Sequence, residues 1–191
     1  MTKYNDLAYQ YRGAILPTFV PHVETFAKRT LARFRNEVPH VLEVGAGTGS
    51  LLKKVDELGN FVFTAVDASP FSLTELTPAK SNMNLVRKSI FDAEIKTPVH
   101  AIISKDYLIA ISSLEAFLEH ISPSLVHGAL FMLTVFADEP GTRHAFSGKY
   151  GRKWDLVNSQ SWTPAPREVD NDWYSSIVAT RRIFTCQYSG S

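Results

Sequence analysis

Glu43, Asp67 and Asp92 punctuate the first half of a 191-residue chain, each at or just beyond the end of an apolar run. Glu43 stands two residues ahead of the turn Gly45-Ala46-Gly47-Thr48-Gly49, in the stretch HVLEVGAGTGSLLKKV over 40–55. Glycines at every second position leave backbone amides bare where a strand passes into a helix, so a flat or negatively charged group can lie against the chain. The dinucleotide fingerprint G-x-G-x-x-G needs a third glycine three positions after the second, and Ser50 stands there instead. A P-loop fails as well, because no Gly-Lys-Ser/Thr follows. A carboxylate at the mouth of such a turn suits a ligand carrying positive charge better than a pyrophosphate. Asp67 closes the next apolar run, in FTAVDAS, and an ionised Asp offers two acceptor oxygens. Taken singly, Asp67 reads as a helix N-cap for a segment near Pro70 and Asp92 as a turn residue; their joint spacing favours a shared site.

The elements that must position these residues follow from periodicity. Helices are predicted over 3–12 and 19–36, the second with Phe19, Val23, Phe26, Ala27, Thr30, Leu31 and Phe34 recurring at three and four. Pro39 then ends helix and opens a strand. Strands at 40–44, 61–66, 84–89, 100–104 and 129–136 alternate with helices at 49–58, 70–77 and 112–121. Such alternation predicts an α/β fold: a Rossmann-like, doubly wound, mostly parallel sheet in three αβα layers, with N-terminal helices and an antiparallel last strand. One domain covers 1–191: a helical cap over 1–36, a ligand-binding core over 40–136, an aromatic-rich excursion over 137–174 and a last strand over 175–188. The excursion carries Tyr150, Trp154, Trp162, Trp173 and Tyr174, more large rings than a disordered segment holds, and a short strand is predicted near 154–158.

Composition bounds the function. Hydrophobic residues at 45% and charged residues at 20% are globular values, and no run approaches the roughly 18 apolar residues of a membrane span. A net charge of +1 gives no footprint for nucleic acid or an anionic membrane. The lone Cys186 cannot form an internal disulfide and residues 1–20 lack a secretory signal pattern, so a cytoplasmic location is the default expectation. No metal-ligand cluster stands out.

With these motifs in order, the sequence resembles the class I S-adenosylmethionine (SAM)-dependent methyltransferases of the small-molecule type, through E-x-G-x-G-x-G at 43–49, Asp67 and Asp92. The resemblance implies SAM as cofactor and S-adenosylhomocysteine (SAH) as product. It implies that Glu43 meets the cofactor's amino group and that Gly45, Ala46, Gly47 and Gly49 pass beneath its amino acid portion. Asp67 would accept from the ribose hydroxyls, with Ala68 and Ser69 bordering the adenine. Asp92 would meet the adenine amino group, with Ile90, Phe91 and Ala93 forming a slot for the ring. Ser104 and Lys105 would border the methionine portion.

The crevice of an open α/β sheet lies beyond the carboxyl ends of its strands, so ISKDYLIAI after the fourth strand is where catalysis is sought. Asp106 and Tyr107 are the candidates facing the methyl or the acceptor; Lys105 and Asp106 read equally well as a solvent pair. Tyr11, with Tyr4 and Tyr9, lies on the N-terminal helix, which either covers the acceptor pocket or packs as an amphipathic helix. His144, Phe146, Tyr150, Trp154 and Trp162 either line that pocket or anchor the excursion. His120 and His127 read as ordinary histidines more readily than as bases. Two departures from the family pattern stand out: His100 replaces the acid that often opens the fourth strand, and Gly128 alone remains of a glycine pair before the fifth. The expected reaction is methyl transfer to oxygen or nitrogen of a small acceptor, in a site complete in one chain or finished by a second copy or partner subunit. Alternatives are a SAM-using enzyme that moves another group or cyclises, and a non-catalytic SAM-binding subunit.

Overall fold

The computed structural model describes residues 17–69, 82–95, 98–105, 114–136, 153–163 and 181–190. Among the described residues, seven strands form one sheet: β1 His40–Val44, β2 Val62–Val66, β3 Met83–Val86, β4 Val99–Lys105, β5 Leu125–Phe136, β6 Trp154–Trp162 and β7 Arg181–Tyr188. Their order is β3-β2-β1-β4-β5-β7-β6. β1 through β5 pair in parallel, and β7 runs antiparallel to both β5 and β6. This is the mostly parallel, doubly wound sheet expected from the alternation of strands and helices. The expected helices at 3–12 and 70–77 fall outside the described residues.

Three described helices cover the sheet. α1, Val20–Arg33, buries Val23, Phe26, Ala27 and Thr30, the i, i+3, i+4, i+7 face that periodicity requires. Its start carries a proline in the first turn, where a missing N–H costs nothing. α2, Ser50–Asp56, follows the glycine turn and buries Leu51, Leu52 and Val55. Both helices pack on one face, with Val41, Ala65, Ala101, Ile103, Leu130 and Met132 beneath them. α3, Leu114–Ile121, covers the other face with Phe117, Leu118 and Ile121, over Leu42, Val44, Ile102 and Phe131. Successive residues of β1 and β4 thus enter opposite cores, which is why these strands read as unbroken apolar runs.

The C-terminal strands differ from expectation in extent. β6 reaches Trp162 rather than ending near 158, and β5 begins at Leu125 rather than 129. In β5 the register against β4 shifts around Gly128, whose φ of 80° breaks the run that periodicity follows. In β6 a bulge makes Val157 an extra residue between Leu156 and Asn158. Trp154 and Trp162 are eight residues apart and would share a face in a regular strand. The extra residue shifts the parity, and the two rings enter opposite cores, Trp154 against Phe131 and Tyr188, Trp162 against Phe19. Both tryptophans are therefore anchors of the sheet.

Candidate functional site

Strand order reverses direction at β1, with β2 and β3 on one side and β4 on the other, and a ligand crevice forms beyond the strand ends at such a switch point. The glycine turn fills the β1 end of it. Gly45 and Ala46 donate their main-chain N–H groups to the Val66 carbonyl at 2.9 and 3.2 Å, and Gly49 donates to Ala46 at 2.8 Å. Gly45, Gly47 and Gly49 have φ of 74°, 55° and 90°, a region that costs an L-residue with a side chain roughly 1–2 kcal/mol. Gly47 is exposed, and a Cβ placed on it would project into open space. What its bareness preserves is therefore open space above the turn.

Asp67 is the first residue after β2. Its Oδ2 accepts the Gly47 N–H and its Oδ1 the Ser69 N–H, each at 2.8 Å. The two bonds fix the carboxylate and leave one lone pair on each oxygen, the number a vicinal diol would use. Ala68 is exposed and Ser69 half-buried beside it.

Glu43 lies deeper, 2% exposed. Its Oε2 has no hydrogen-bond partner among the described residues. Burial pushes its carboxyl well above the ordinary range, and the negative charge of Asp67 pushes it further. Lys105 and a hydrogen bond from the Leu52 N–H in the first turn of α2 act in the opposite direction. An acid buried with an unmatched oxygen beneath an open turn is costly unless it keeps its proton or meets a cation.

At the end of β4, Ser104 is fully buried on the α3 face with Oγ unpartnered, and Lys105 turns to the other face. The Lys105 ammonium stands 5.9 Å from the Phe19 ring centroid and 6.0 Å from that of Trp162. Those rings are 4.9 Å apart, and Trp162 Nε1 donates to Thr18 Oγ1 at 3.1 Å. The chain entering α1 is thereby fastened beside the β4 end. Sequence reading missed this seat: Phe19 and Trp162 are 143 positions apart, and no local pattern joins them.

Beyond β3, Asp92 is exposed on a 3-10 turn, Ile90–Asp92. Ile90 and Ala93 are buried in the core, while Phe91 is half-exposed, its ring 5.5 Å from that of His120 on α3. Glu43, the glycine turn, Asp67 to Ser69, Ser104 and Lys105 thus gather at neighbouring strand ends, with Asp92 on the turn after β3. Asp106, Tyr107 and Tyr11 lie outside the described residues.

His100 belongs to the opposite end of the strands, at the start of β4. Its Nδ1 accepts the His40 N–H at 3.1 Å, so the proton sits on Nε2, 3.1 Å from Glu37 Oε2 without the alignment of a hydrogen bond. His40 in turn meets the Pro98 carbonyl through Nδ1 and Thr64 Oγ1 through Nε2. His100 thus belongs to a buried polar network remote from the crevice.

With this geometry in place, likeness to solved structures becomes informative. The N-methyltransferase NodS from Bradyrhizobium japonicum WM9, in complex with SAH, superposes with a TM-score of 0.69 over 98% of this chain and 99% of that one, at 12% identity. The fold is that of the class I SAM-dependent methyltransferases. The plantazolicin methyltransferase BpumL, in complex with SAH and a desmethyl plantazolicin analogue, gives a TM-score of 0.65 over 97% of this chain and 90% of that one, at 13% identity. The [4+2]-cyclase SpnF shares the methyltransferase fold with a TM-score of 0.66 over 88% and 81% of the two chains, at 11% identity. No family model matches the sequence, and no curated protein does. No helix among the described residues is long and apolar enough to cross a membrane.

Proposed function

We propose that the protein is a SAM-dependent methyltransferase acting on oxygen or nitrogen of a small-molecule acceptor. The observation that carries the reading is Glu43, a buried acid with an unmatched oxygen beneath a bare glycine turn, next to the doubly anchored carboxylate of Asp67. Such a set of acceptors fits a ligand that brings an ammonium group and a ribose diol together, and NodS and BpumL are structures with SAH bound. In this reading Glu43 holds the amino group, Gly45 to Gly49 pass under the amino acid portion, Asp67 accepts from the ribose, and Ala68, Ser69, Phe91 and Asp92 border the adenine. The bound cofactor supplies an electrophilic methyl on a sulfonium, for which positioning and exclusion of water supply much of the acceleration. Asp106, Tyr107 and Tyr11 are proposed on the acceptor side, where a base is required only for an acceptor protonated at neutral pH.

The test is incubation with methyl-labelled SAM and an extract of small metabolites, with mass spectrometry of the spent cofactor. Labelled acceptor together with SAH supports methyl transfer. Methylthioadenosine instead would mean cleavage on the other side of sulfur, and unconsumed SAM would leave a binding subunit. The likeness to SpnF, a cyclase on the same fold, keeps the second reading of a non-methylating enzyme specific enough for this assay to decide.

A further inference from the structure

Ser104 and Arg182 stand on the α3 side of the sheet, at the end where the crevice forms. Ser104 follows Ile102 on the strand face that enters the α3 core, whereas Glu43 follows Val41 on the opposite face. The Ser104 hydroxyl is fully buried and has no hydrogen-bond partner among the described residues. On β7, Ile183 enters the α1 core and Phe184 the α3 core, so Arg182 shares the α3 side with Phe184. Arg182 pairs with Val135 near the carboxyl end of β5, and Ser104 pairs with Leu133, two residues back on the same strand. The two residues thus flank β5 from its neighbours on either side, with Cα atoms roughly 10 Å apart across the sheet and about 7 Å apart along it. Arg182 is half-buried, and among the described residues no hydrogen bond or ion pair engages its guanidinium. A buried hydroxyl without a partner and a half-buried cation without a counter-ion each weaken a fold. One molecule lying over the end of β5 would satisfy both.

We infer that Arg182 and Ser104 bind the methyl acceptor, and that this acceptor is a small anion: a carboxylate or phosphate on the guanidinium, with the oxygen or nitrogen to be methylated nearer Ser104. The inference rests on the methyl-transfer reading above and gives it a substrate class. The planar guanidinium fork matches a carboxylate or phosphate in two parallel N–H···O bonds, and a hydroxyl both donates to and accepts from a neutral polar group. Ser104 is thereby assigned to the acceptor rather than to the methionine portion of the cofactor, because the buried acid that would hold that portion stands on the other face of the sheet.

The test uses the full chain and methyl-labelled SAM, with an extract of small metabolites first divided at neutral pH into a fraction held by an anion exchanger and a fraction that passes through. Label is expected to enter a compound of the held fraction. With that compound as acceptor, Arg182→Gln should raise KM by about tenfold or more, the scale of one charge-assisted contact, and Arg182→Lys should fall between it and wild type. Ser104→Ala should be at least as stable to denaturant as wild type, since it deletes an unmatched hydroxyl, and should still raise KM. SAH affinity by calorimetry should change by less than about twofold in all of these variants. Label drawn only from the fraction that passes through overturns the assignment with the wild-type chain alone. So does R182Q or S104A with the wild-type KM, or with SAH weakened as much as the acceptor. A chain that binds SAH and labels neither fraction removes methyl transfer and the acceptor assignment together, and a chain that binds no SAH removes the cofactor reading beneath both.

Discussion

Gly47 donates its main-chain N–H to Asp67 Oδ2 at 2.8 Å, so the turn after β1 and the end of β2 form one rigid corner. Asp67 is committed on each oxygen to main-chain donors before any ligand arrives, the second being Ser69. A carboxylate already oriented in this way loses little further freedom on binding.

That corner gives Gly47→Ala an unequal signature. The backbone φ of 55° costs an alanine about 1–2 kcal/mol of stability, and its methyl meets no protein atom within 4 Å. The same methyl would occupy the open space that the proposed function assigns to the ligand. SAH affinity should therefore fall by about tenfold or more, beyond what a global loss of stability explains. Chemical denaturation and calorimetry, run side by side, separate the two effects.

Glu43 predicts a pH dependence whose sign follows from burial. Its carboxyl is raised in the folded state, so between the ordinary glutamate range and the raised value the folded chain holds a proton that the unfolded chain has lost. The favourable contribution is complete below the ordinary range and declines as pH rises through that window, by at most about 1.4 kcal/mol per pH unit for one proton. Glu43→Gln should flatten this slope and make the ligand-free protein more stable at neutral pH. A bound ammonium favours the ionised acid, so SAH binding should release a proton, detectable as a heat that scales with buffer ionisation enthalpy.

The polar network at the far ends of the strands should separate stability from binding. His100→Ala removes the acceptor of the His40 N–H, and an unmatched buried donor costs about 1–3 kcal/mol. Because this network lies at the opposite ends of the strands, SAH affinity of the folded variant should change by less than about twofold. A large loss of affinity without loss of stability would contradict the placement.

Trp162→Phe should loosen the start of α1. It deletes the donor to Thr18 Oγ1 and shrinks a ring packed 4.9 Å from Phe19, at a cost of about 1–3 kcal/mol. Hydrogen exchange at the main-chain N–H groups of Phe19, His22 and Val23 should accelerate more than at β1.

Much of this architecture was written locally in the chain. β1 was legible to the residue because Pro39 and Gly45 bound an apolar run; Asp67 and Asp92 stood out because each follows a strand at a turn, and Glu43 because it stands two residues ahead of the glycine turn. β6 was only half legible: as an edge strand it exposes Asp155 to Ser159, so no alternation marks it, and hydrogen bonds to β7 define it instead. The bulge at Val157, the burial of Glu43 and the aromatic seat of Lys105 depend on residues brought together from distant parts of the chain. Residue types alone carry no record of such meetings.

The most direct test is a calorimetric titration of the wild-type chain with SAH, repeated with Asp67→Ala. The account predicts one SAH per chain for the wild type and a loss of about tenfold or more in D67A, which removes the diol acceptor and unties the Gly47 corner. A folded wild-type protein that takes up no SAH, or a D67A variant that binds it undiminished, would contradict it.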